Sequence, residues 1–298
     1  MSDLSPNPPA RHDAAELSAF AHQLADEAAV QLRTWFGRAT TSIKADGSFV
    51  TEADLAVDRA VRAALAARYP HHALLSEETT RSYQGSDWTW VIDPLDGTTN
   101  FANGLPIWGS SIALLFQGEP VLGLLDFPLL GQRFSAQRGL GAHFNGQALH
   151  CPPQAALHNN QFLIMDTRSV RRLHISAPPK VRVLGSAAFD LAAVSRGVAV
   201  GCFELLPKIW DIAAVWLILQ EADAHPGLLF PGPDLFPLLV GADYSERIFP
   251  LLAAASADHW HELRAAIHFT EHSGPLLALL AAQGWQTTAA AAAPSLAG

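Results

Sequence analysis

The chain has 298 residues, of which 49% are hydrophobic and only 16% are charged. This composition supplies ample material for an extensive buried core, including a subunit interface. The net charge of −9 disfavours nucleic-acid binding through a broad basic face.

The N-terminal residues 1–10 are proline-rich and are predicted to be a disordered lead-in, without the basic and apolar regions of a signal peptide. No apolar run approaches the roughly eighteen residues that span a bilayer, so no membrane association is expected. The two cysteines, Cys151 and Cys202, are interpreted as reduced thiols. We therefore expect a cytoplasmic protein.

In the first half of the chain, apolar residues at spacings of three and four predict two helices, over 13–36 and 51–68. Residues 88–92 read as a buried strand, which should end at Asp93 because Pro94 cannot donate to a sheet ladder. Asn145-Gly146 is a strong hairpin signal. It belongs to a series of strands predicted over 108–116, 120–127, 132–137 and 141–144.

The sequence Cys151-Pro152-Pro153 is interpreted as a boundary between an N-terminal lobe, 11–150, and a C-terminal lobe, 151–285. The second lobe alternates strands and helices, which is typical of an α/β layered fold. Its elements are predicted as strands 162–165, 181–184 and 198–204, and helices 187–196, 211–222 and 258–268. The segment 286–298 is alanine-rich and is predicted to be a mobile low-complexity tail.

The most informative segment is 93–101, with the sequence DPLDGTTNF. Two carboxylates flank a proline at the carboxyl end of a strand, which is where open α/β sheets usually bind ligands. At about 4 Å and an effective dielectric near 20, two such charges repel by roughly 4 kcal/mol. A hard divalent cation such as Mg²⁺ would relieve this repulsion.

Further acids stand in comparable settings. Glu77-Glu78 follow the short apolar stretch 73–75, and Asp54 lies just inside the second predicted helix. Asp211 stands where a helix is predicted to start, and the helix dipole favours a negative charge there. Other motifs are weaker: Gly139-Leu140-Gly141 lacks the third glycine of a dinucleotide-binding loop.

In combination, Ser76-Glu77-Glu78, the segment 93–101 and the segment 210–214 (WDIAA) resemble the signature of the inositol monophosphatase family of metal-dependent, lithium-sensitive phosphatases. The resemblance extends over about 14–255. It implies an α/β fold, an alternating αβαβα sandwich of the inositol monophosphatase and sugar phosphatase type. It also implies a homodimer, with most metal ligands in the N-terminal lobe, and Asp211 and the substrate-side residues in the C-terminal lobe.

The resemblance also implies roles for individual residues. One Mg²⁺ would bind Glu77, Asp93 and the carbonyl of Leu95, and a second would bind Asp93, Asp96 and Asp211. A third, weaker ion or the active-site loop would be ordered by Lys44. The catalytic group would comprise Glu77 with Thr98 and Asp54, which orient and deprotonate the attacking water. The substrate would contact Gly97, Thr98, Ala187, Glu204 and Asp211.

The implied function is Mg²⁺-dependent hydrolysis of a small phosphate monoester, most simply inositol monophosphate, by metal-activated water without a covalent intermediate. The alternatives are the phosphatases of histidinol phosphate, fructose-1,6-bisphosphate and 3′-phosphoadenosine-5′-phosphate, or a non-catalytic ligand-binding homologue. Residues 221–227 replace the family's usual Gly-Gly-x-x-Thr-Asp, and the stretch after His268 has no familiar counterpart. These departures leave the substrate open.

Overall fold

The computed structural model describes residues 11–44, 47 and 49–287; the predicted lead-in and the tail from 288 onwards lie outside them. In this part of the chain, a 3-10 helix covers Glu271–Ser273. The α-helices are α1 (Arg11–Trp35), α2 (Glu52–Arg68), α3 (Thr98–Ala102), α4 (Thr167–Arg172), α5 (Ala187–Ser195), α6 (Ile209–Glu221), α7 (Ala257–Ala265) and α8 (Gly274–Ala282).

The strands of the same residues form two large and two small sheets. They are β1 (Thr41–Ile43), β2 (Phe49–Thr51), β3 (Ala73–Ser76), β4 (Trp88–Asp96), β5 (Gly109–Phe116), β6 (Glu119–Phe127), β7 (Gln132–Gln137), β8 (Gly141–Phe144), β9 (Gln147–Leu149), β10 (Phe162–Met165), β11 (Leu173–Ile175), β12 (Lys180–Arg182), β13 (Gly201–Glu204), β14 (His225–Leu228), β15 (Leu251–Ala254) and β16 (Ile267–Phe269).

The helices and the two large sheets are stacked in alternating layers. Helices α1 and α2 cover one face of a seven-stranded sheet of order β3-β4-β5-β6-β7-β8-β9. Its other face packs on α6, which lies beside α5. These two helices in turn contact a five-stranded sheet of order β12-β10-β13-β15-β14, whose strands also contact α7. The layered α/β fold expected from the sequence is therefore present.

Helix α6 approaches the seven-stranded sheet unusually closely at Gly123 of β6. A Cβ atom at Gly123 would lie 2.4 Å from the carbonyl oxygen of Ala214, so no other residue fits without a shift of the helix. The start of α6 lies beside the carboxyl end of β4, since the hydroxyl of Ser111, the pairing partner of Asp93, donates to the carbonyl oxygen of Trp210 at 2.9 Å. Residues from the two halves of the chain are thereby brought to one place.

The prediction that the strand ends at Asp93 is wrong. Strand β4 continues to Asp96, with an irregular register in its pairing with β5 between Asp93 and Asp96. Pro94 lies within this irregularity, where its missing N–H breaks no ladder bond. Its carbonyl oxygen accepts a hydrogen bond of 2.9 Å from the hydroxyl of Ser110. The bulge therefore accommodates Pro94 and determines the orientation of the flanking acids, Asp93 and Asp96.

Several other boundaries differ from the predictions. The helix predicted over 258–268 ends at Ala265, because the next residues form β16 and pair with β11. The strand predicted over 198–204 begins only at Gly201, and the one predicted over 181–184 is Lys180–Arg182. The predicted hairpin turn is present: Asn145 and Gly146 have φ angles of 49° and 78°, as a two-residue type I′ turn requires.

None of the helices among the described residues combines the length and the apolar character needed to cross a bilayer. The proposed lobe boundary at Cys151 falls between β9, the last strand of the seven-stranded sheet, and β10, the first strand of the five-stranded sheet. The division into two lobes stays a prediction.

Candidate metal-dependent active site

Three carboxylates meet where β4 ends and α6 begins. Asp93, Asp96 and Asp211 each offer an oxygen atom, and these atoms all lie within 4.8 Å of one another. Asp93 and Asp96 are buried, and Asp211 is half-buried. Carboxylate oxygens at such separations are the donors that Mg²⁺ prefers. The donor set therefore fits a hard divalent cation.

Each of these acids has one oxygen held by a neighbouring group. Oδ1 of Asp93 accepts a bond of 2.9 Å from the amide of Leu95, and Oδ2 of Asp211 accepts one of 2.8 Å from the amide of Lys208. Oδ2 of Asp96 accepts hydrogen bonds from the hydroxyl of Ser186 and, at 3.2 Å, from the amide of Ala188. These bonds fix the orientation of the carboxylates relative to one another.

The carboxylates destabilise one another when they are ionised. Burial and then the charges of Glu77 and Asp96 raise the pKa of Asp93 well above its usual value. Burial, followed by the charges of Asp96 and Glu77, raises the pKa of Asp211 well above its usual value. Burial raises the pKa of Asp96 to about 6. A bound cation would reverse all three effects, because it favours the ionised form of each ligand.

Glu77 is close enough to raise the pKa of these acids, but it does not belong to the group of three. Its Oε1 lies 2.7 Å from Nζ of Lys44, which also lies 2.7 Å from Oε1 of Glu78. Burial lowers the pKa of Lys44, but the two glutamates more than compensate and raise it above its usual value. The ammonium group thus offsets one of the two negative charges of the glutamate pair in this structure.

Thr98 and Asp54 form a direct hydrogen bond beside the acids. The hydroxyl of Thr98 lies 3.2 Å from Oδ1 of Asp54 and 2.9 Å from the carbonyl oxygen of Leu95. Oδ2 of Asp54 accepts bonds of 2.8 and 2.6 Å from the amide and hydroxyl of Thr51, the N-cap of α2. Burial raises the pKa of Asp54. The sequence predicted this pair, and the structure brings it together.

The backbone between Leu95 and Thr98 requires a glycine. Gly97 has a φ of 83°, and a Cβ atom there would lie 2.8 Å from the carbonyl oxygen of Ile107. This left-handed residue turns the chain from β4 directly into α3. The turn places the hydroxyl of Thr98 against the carbonyl oxygen of Leu95.

Two of the predicted substrate residues lie in α5 and β13, near Asp96. Ala187 is the first residue of α5, directly after the Ser186 hydroxyl that bonds Asp96. Glu204 ends β13; it is only 4% exposed, and its Oε1 accepts no hydrogen bond from the described residues. Burial and the charge of Asp166 raise the pKa of Glu204 well above its usual value.

Sequence reasoning did not identify Asp190 or Ser186. Asp190 is buried in α5, its Oδ1 has no partner among the described residues, and burial followed by the charge of Asp96 raises its pKa. An acid inside the apolar run from Ala187 to Val194 was a usable signal, because buried acids are rare without a partner or a function. Nothing in the sequence indicated the contact between Ser186 and Asp96.

The sequence profile of the inositol monophosphatase family matches residues 13–225, which is more than half of the chain. The chain belongs to the inositol monophosphatase family. It is accordingly a phosphoric monoester hydrolase of that family.

Several named proteins are similar to this member of the family. The Nus factor SuhB of Pasteurella multocida is 36% identical over 206 residues, covering 61% of this chain and 72% of the relative. The inositol-1-monophosphatase of Mesorhizobium japonicum is 34% identical, and the match covers 65% of this chain and 77% of the relative. The histidinol-phosphatase of Chlorobaculum parvum is 33% identical, and the match covers 67% of this chain and 81% of the relative.

The fold has counterparts among solved structures. The crystal structure of the extragenic suppressor protein SuhB from Bartonella henselae superposes with a TM-score of 0.72 at 27% identity, covering 84% of this chain and 98% of that one. An inositol monophosphatase of Thermotoga maritima superposes with a TM-score of 0.71 at 24% identity, covering 90% of this chain and 100% of that one. The second likeness bears on the fold alone.

Proposed function

We propose that this protein hydrolyses a small phosphate monoester in the presence of Mg²⁺, most simply inositol monophosphate. The observation that supports the proposal most directly is the convergence of Asp93, Asp96 and Asp211 beside the hydrogen-bonded pair of Thr98 and Asp54. A non-catalytic relative would be expected to have lost at least one of these five groups.

Two Mg²⁺ ions would be held by five donors: the carboxylates of Glu77, Asp93, Asp96 and Asp211, and the carbonyl oxygen of Leu95. When bound, Mg²⁺ would supply Lewis-acid polarisation of the phosphoryl group and lower the pKa of a water molecule. Glu77 would have to exchange its ion pair with Lys44 for the cation. A third, weaker ion beside Lys44 is part of the proposal.

Thr98 and Asp54 would take up a proton from the attacking water. The Thr98 hydroxyl can accept a hydrogen bond from that water while it donates to Asp54. Because burial raises the pKa of Asp54, its carboxylate is a stronger base than an exposed aspartate. No residue here needs to act as a covalent nucleophile.

The substrate would lie between Gly97 and Glu204. The amides of Gly97 and Thr98 would donate to phosphate oxygens, since successive amides at such a turn favour anions. Glu204 would accept hydrogen bonds from the hydroxyls of the alcohol part, with Ala187 and Asp211 beside it. The lack of a hydrogen-bond partner for Oε1 of Glu204 among the described residues supports this assignment.

Histidinol phosphate is the second candidate substrate, because a histidinol-phosphatase is among the similar relatives. We also propose a cytoplasmic homodimer whose subunits have two lobes, as the resemblance to the family implies. Fructose-1,6-bisphosphate and 3′-phosphoadenosine-5′-phosphate complete the set of substrates to be compared.

A phosphate-release assay with purified protein would test the function. Inositol 1-phosphate, histidinol phosphate, fructose-1,6-bisphosphate and 3′-phosphoadenosine-5′-phosphate would be compared with Mg²⁺ and with chelator, using Asp93→Asn as the inactive control. We expect Mg²⁺-dependent release from at least one of them, with the highest kcat/KM for inositol 1-phosphate. Equal background release by wild type and Asp93→Asn on every substrate would contradict hydrolysis of this class.

A further inference from the structure

Residues 241–245 lie outside the part of the chain that matches the family profile, yet they connect both sides of the acidic site. We propose that this clamp segment sets the position of Glu77 relative to Asp211 and thereby determines how tightly the site binds Mg²⁺. The proposal rests on the function proposed above, since it requires that these acids bind the cation.

The first arm of the clamp segment reaches the Glu77 side. Residues 241–244 pair in antiparallel fashion with residues 81–83 through three main-chain hydrogen bonds. The amide of Tyr244 donates to the carbonyl oxygen of Arg81 at 2.7 Å. Nε of Arg81 in turn donates to the carbonyl oxygen of Glu77 at 2.8 Å. Only two hydrogen bonds therefore separate Tyr244 from the backbone of Glu77.

The second arm reaches Asp211 from the adjacent residue. The carbonyl oxygen of Ser245 accepts a bond of 2.5 Å from Nζ of Lys208. The amide of the same Lys208 donates to Oδ2 of Asp211 at 2.8 Å. Neighbouring residues of one short segment thus hold two acids that are far apart in the sequence.

The clamp segment is itself held firmly. The ring of Tyr244 is buried, and its hydroxyl oxygen accepts a bond of 2.9 Å from the amide of Leu239. The amide of Ser245 donates to Oδ1 of Asp243 at 2.8 Å. Beyond the segment, Gln283 bonds the amide of Ile248 and the carbonyl oxygen of Glu246. Because the segment is rigid, it can fix the positions of the two acids relative to each other, which a flexible segment could not do.

The charges of the two arms allow a decisive test. Lys208 and Arg81 are cations, so removing either one should tighten Mg²⁺ binding if only its charge mattered. If they position Glu77 and Asp211, their removal should weaken binding instead. Loss of an outer-shell partner typically costs about 10- to 100-fold in metal affinity. The two explanations therefore predict opposite signs.

The experiment is a double-mutant cycle on the full chain, with Mg²⁺ affinity measured by isothermal titration calorimetry without substrate. We expect Lys208→Met and Arg81→Met each to weaken Mg²⁺ binding about tenfold. Because both act through one segment, the double variant should lose clearly less than the product of the two effects. Lys208→Arg, which keeps a donor, should stay near the wild-type affinity.

Two controls complete the design. Lys180→Met removes an exposed lysine from β12 and should leave the affinity unchanged. Lys44→Met removes a cation that contacts Glu77 directly without belonging to the clamp, and should tighten binding. Circular dichroism would verify that each variant is folded, and Arg81→Met carries the test alone if Lys208→Met does not fold.

The outcomes separate the two proposals. Unchanged or tighter binding in Lys208→Met and Arg81→Met, or strictly multiplicative effects, would overturn the clamp while leaving the proposed hydrolysis untouched. Weaker, non-multiplicative binding without hydrolysis of any phosphate ester would support the clamp and contradict the function. A wild-type protein that binds no Mg²⁺ would overturn both.

Discussion

The hydroxyl of Thr98 lies 3.2 Å from Oδ1 of Asp54, and the other oxygen of Asp54 is held by Thr51. The capping acid of α2 is therefore also the partner of the hydroxyl at the acidic site. An aspartate in this position serves the helix and the proposed reaction together, because each use takes a different carboxylate oxygen.

Replacement of Thr98 by alanine should lower kcat with little effect on Mg²⁺ affinity, since the hydroxyl is not among the proposed metal ligands. General-base assistance is typically worth about 10²- to 10⁴-fold in rate. Steady-state kinetics and calorimetry would measure the two quantities separately. Thr98→Ser, which keeps a hydroxyl, should retain most of the activity; wild-type turnover in Thr98→Ala would remove Thr98 from the mechanism.

Asp93→Asn should abolish hydrolysis and also raise the melting temperature of the metal-free protein. The substitution removes a buried charge that is repelled by Glu77, Asp96 and Asp211, while it keeps the shape of the side chain. Thermal denaturation with chelator and with excess Mg²⁺ would show both effects, because Mg²⁺ should no longer stabilise the variant. Asp234→Asn, at an exposed position, is the matched control and should change neither melting temperature.

The stabilising effect of Mg²⁺ should grow as the pH rises. Burial raises the pKa of Asp96 to about 6 and, together with Glu77, that of Glu78 to about 7, above ordinary values of 3.8 and 4.5. A raised pKa in the folded state contributes stability at low pH, which is lost as the pH rises through the folded-state value. The metal-free protein should lose this contribution between about pH 4 and pH 7, because the buried acids must then ionise without a cation.

Melting temperatures measured with chelator and with Mg²⁺ across this interval would check the prediction. The difference between the two should widen toward pH 7, and Mg²⁺ binding near pH 6 should release protons that calorimetry detects in buffers of different ionisation enthalpy. A constant difference, or one that narrows with rising pH, would show that the acids are already ionised in the metal-free protein.

Glu204→Gln should impair hydrolysis of a polyol phosphate more than that of a simple aryl phosphate, which offers no hydroxyls to bind. A hydrogen bond to a buried charged group is worth about 1.5–3 kcal/mol, which corresponds to a roughly ten- to hundredfold rise in KM. Kinetics on both substrates would give the ratio. An equal rise in KM for the two substrates would show that Glu204 supports the protein fold and does not bind the substrate hydroxyls.

Two of the three clustered acids were predictable because their signal is local. Asp93, Asp96, Gly97 and Thr98 stand in one contiguous segment, so a single turn carries their chemistry. The path of the backbone through Pro94 was not predictable, because a bulge depends on the pairing with β5. Likewise the strand at Ile267 forms only through its pairing with β11, and local periodicity favours a helix there.

The clamp segment was not predictable for a related reason. Its contacts join residues 81–83 to residues 241–244, and such long-range pairing leaves no periodic pattern in a single sequence. The same holds for Ser186, whose hydroxyl reaches Asp96 from a distant helix. Functional residues that are adjacent in the sequence could be predicted from the sequence. The distant residues that hold them in position could be identified only from the three-dimensional structure.

The close approach of Ala214 to Gly123 has a consequence for how the protein folds. Helix α6 covers one face of the seven-stranded sheet, and all strands of that sheet precede the helix by many residues. During translation, this face of the sheet therefore stays exposed until α6 has been synthesised. A nascent chain that ends before Ile209 would present a broad apolar sheet surface to chaperones and to other nascent chains. We expect premature termination there to yield aggregated fragments, even though most of the proposed metal ligands would already have been synthesised.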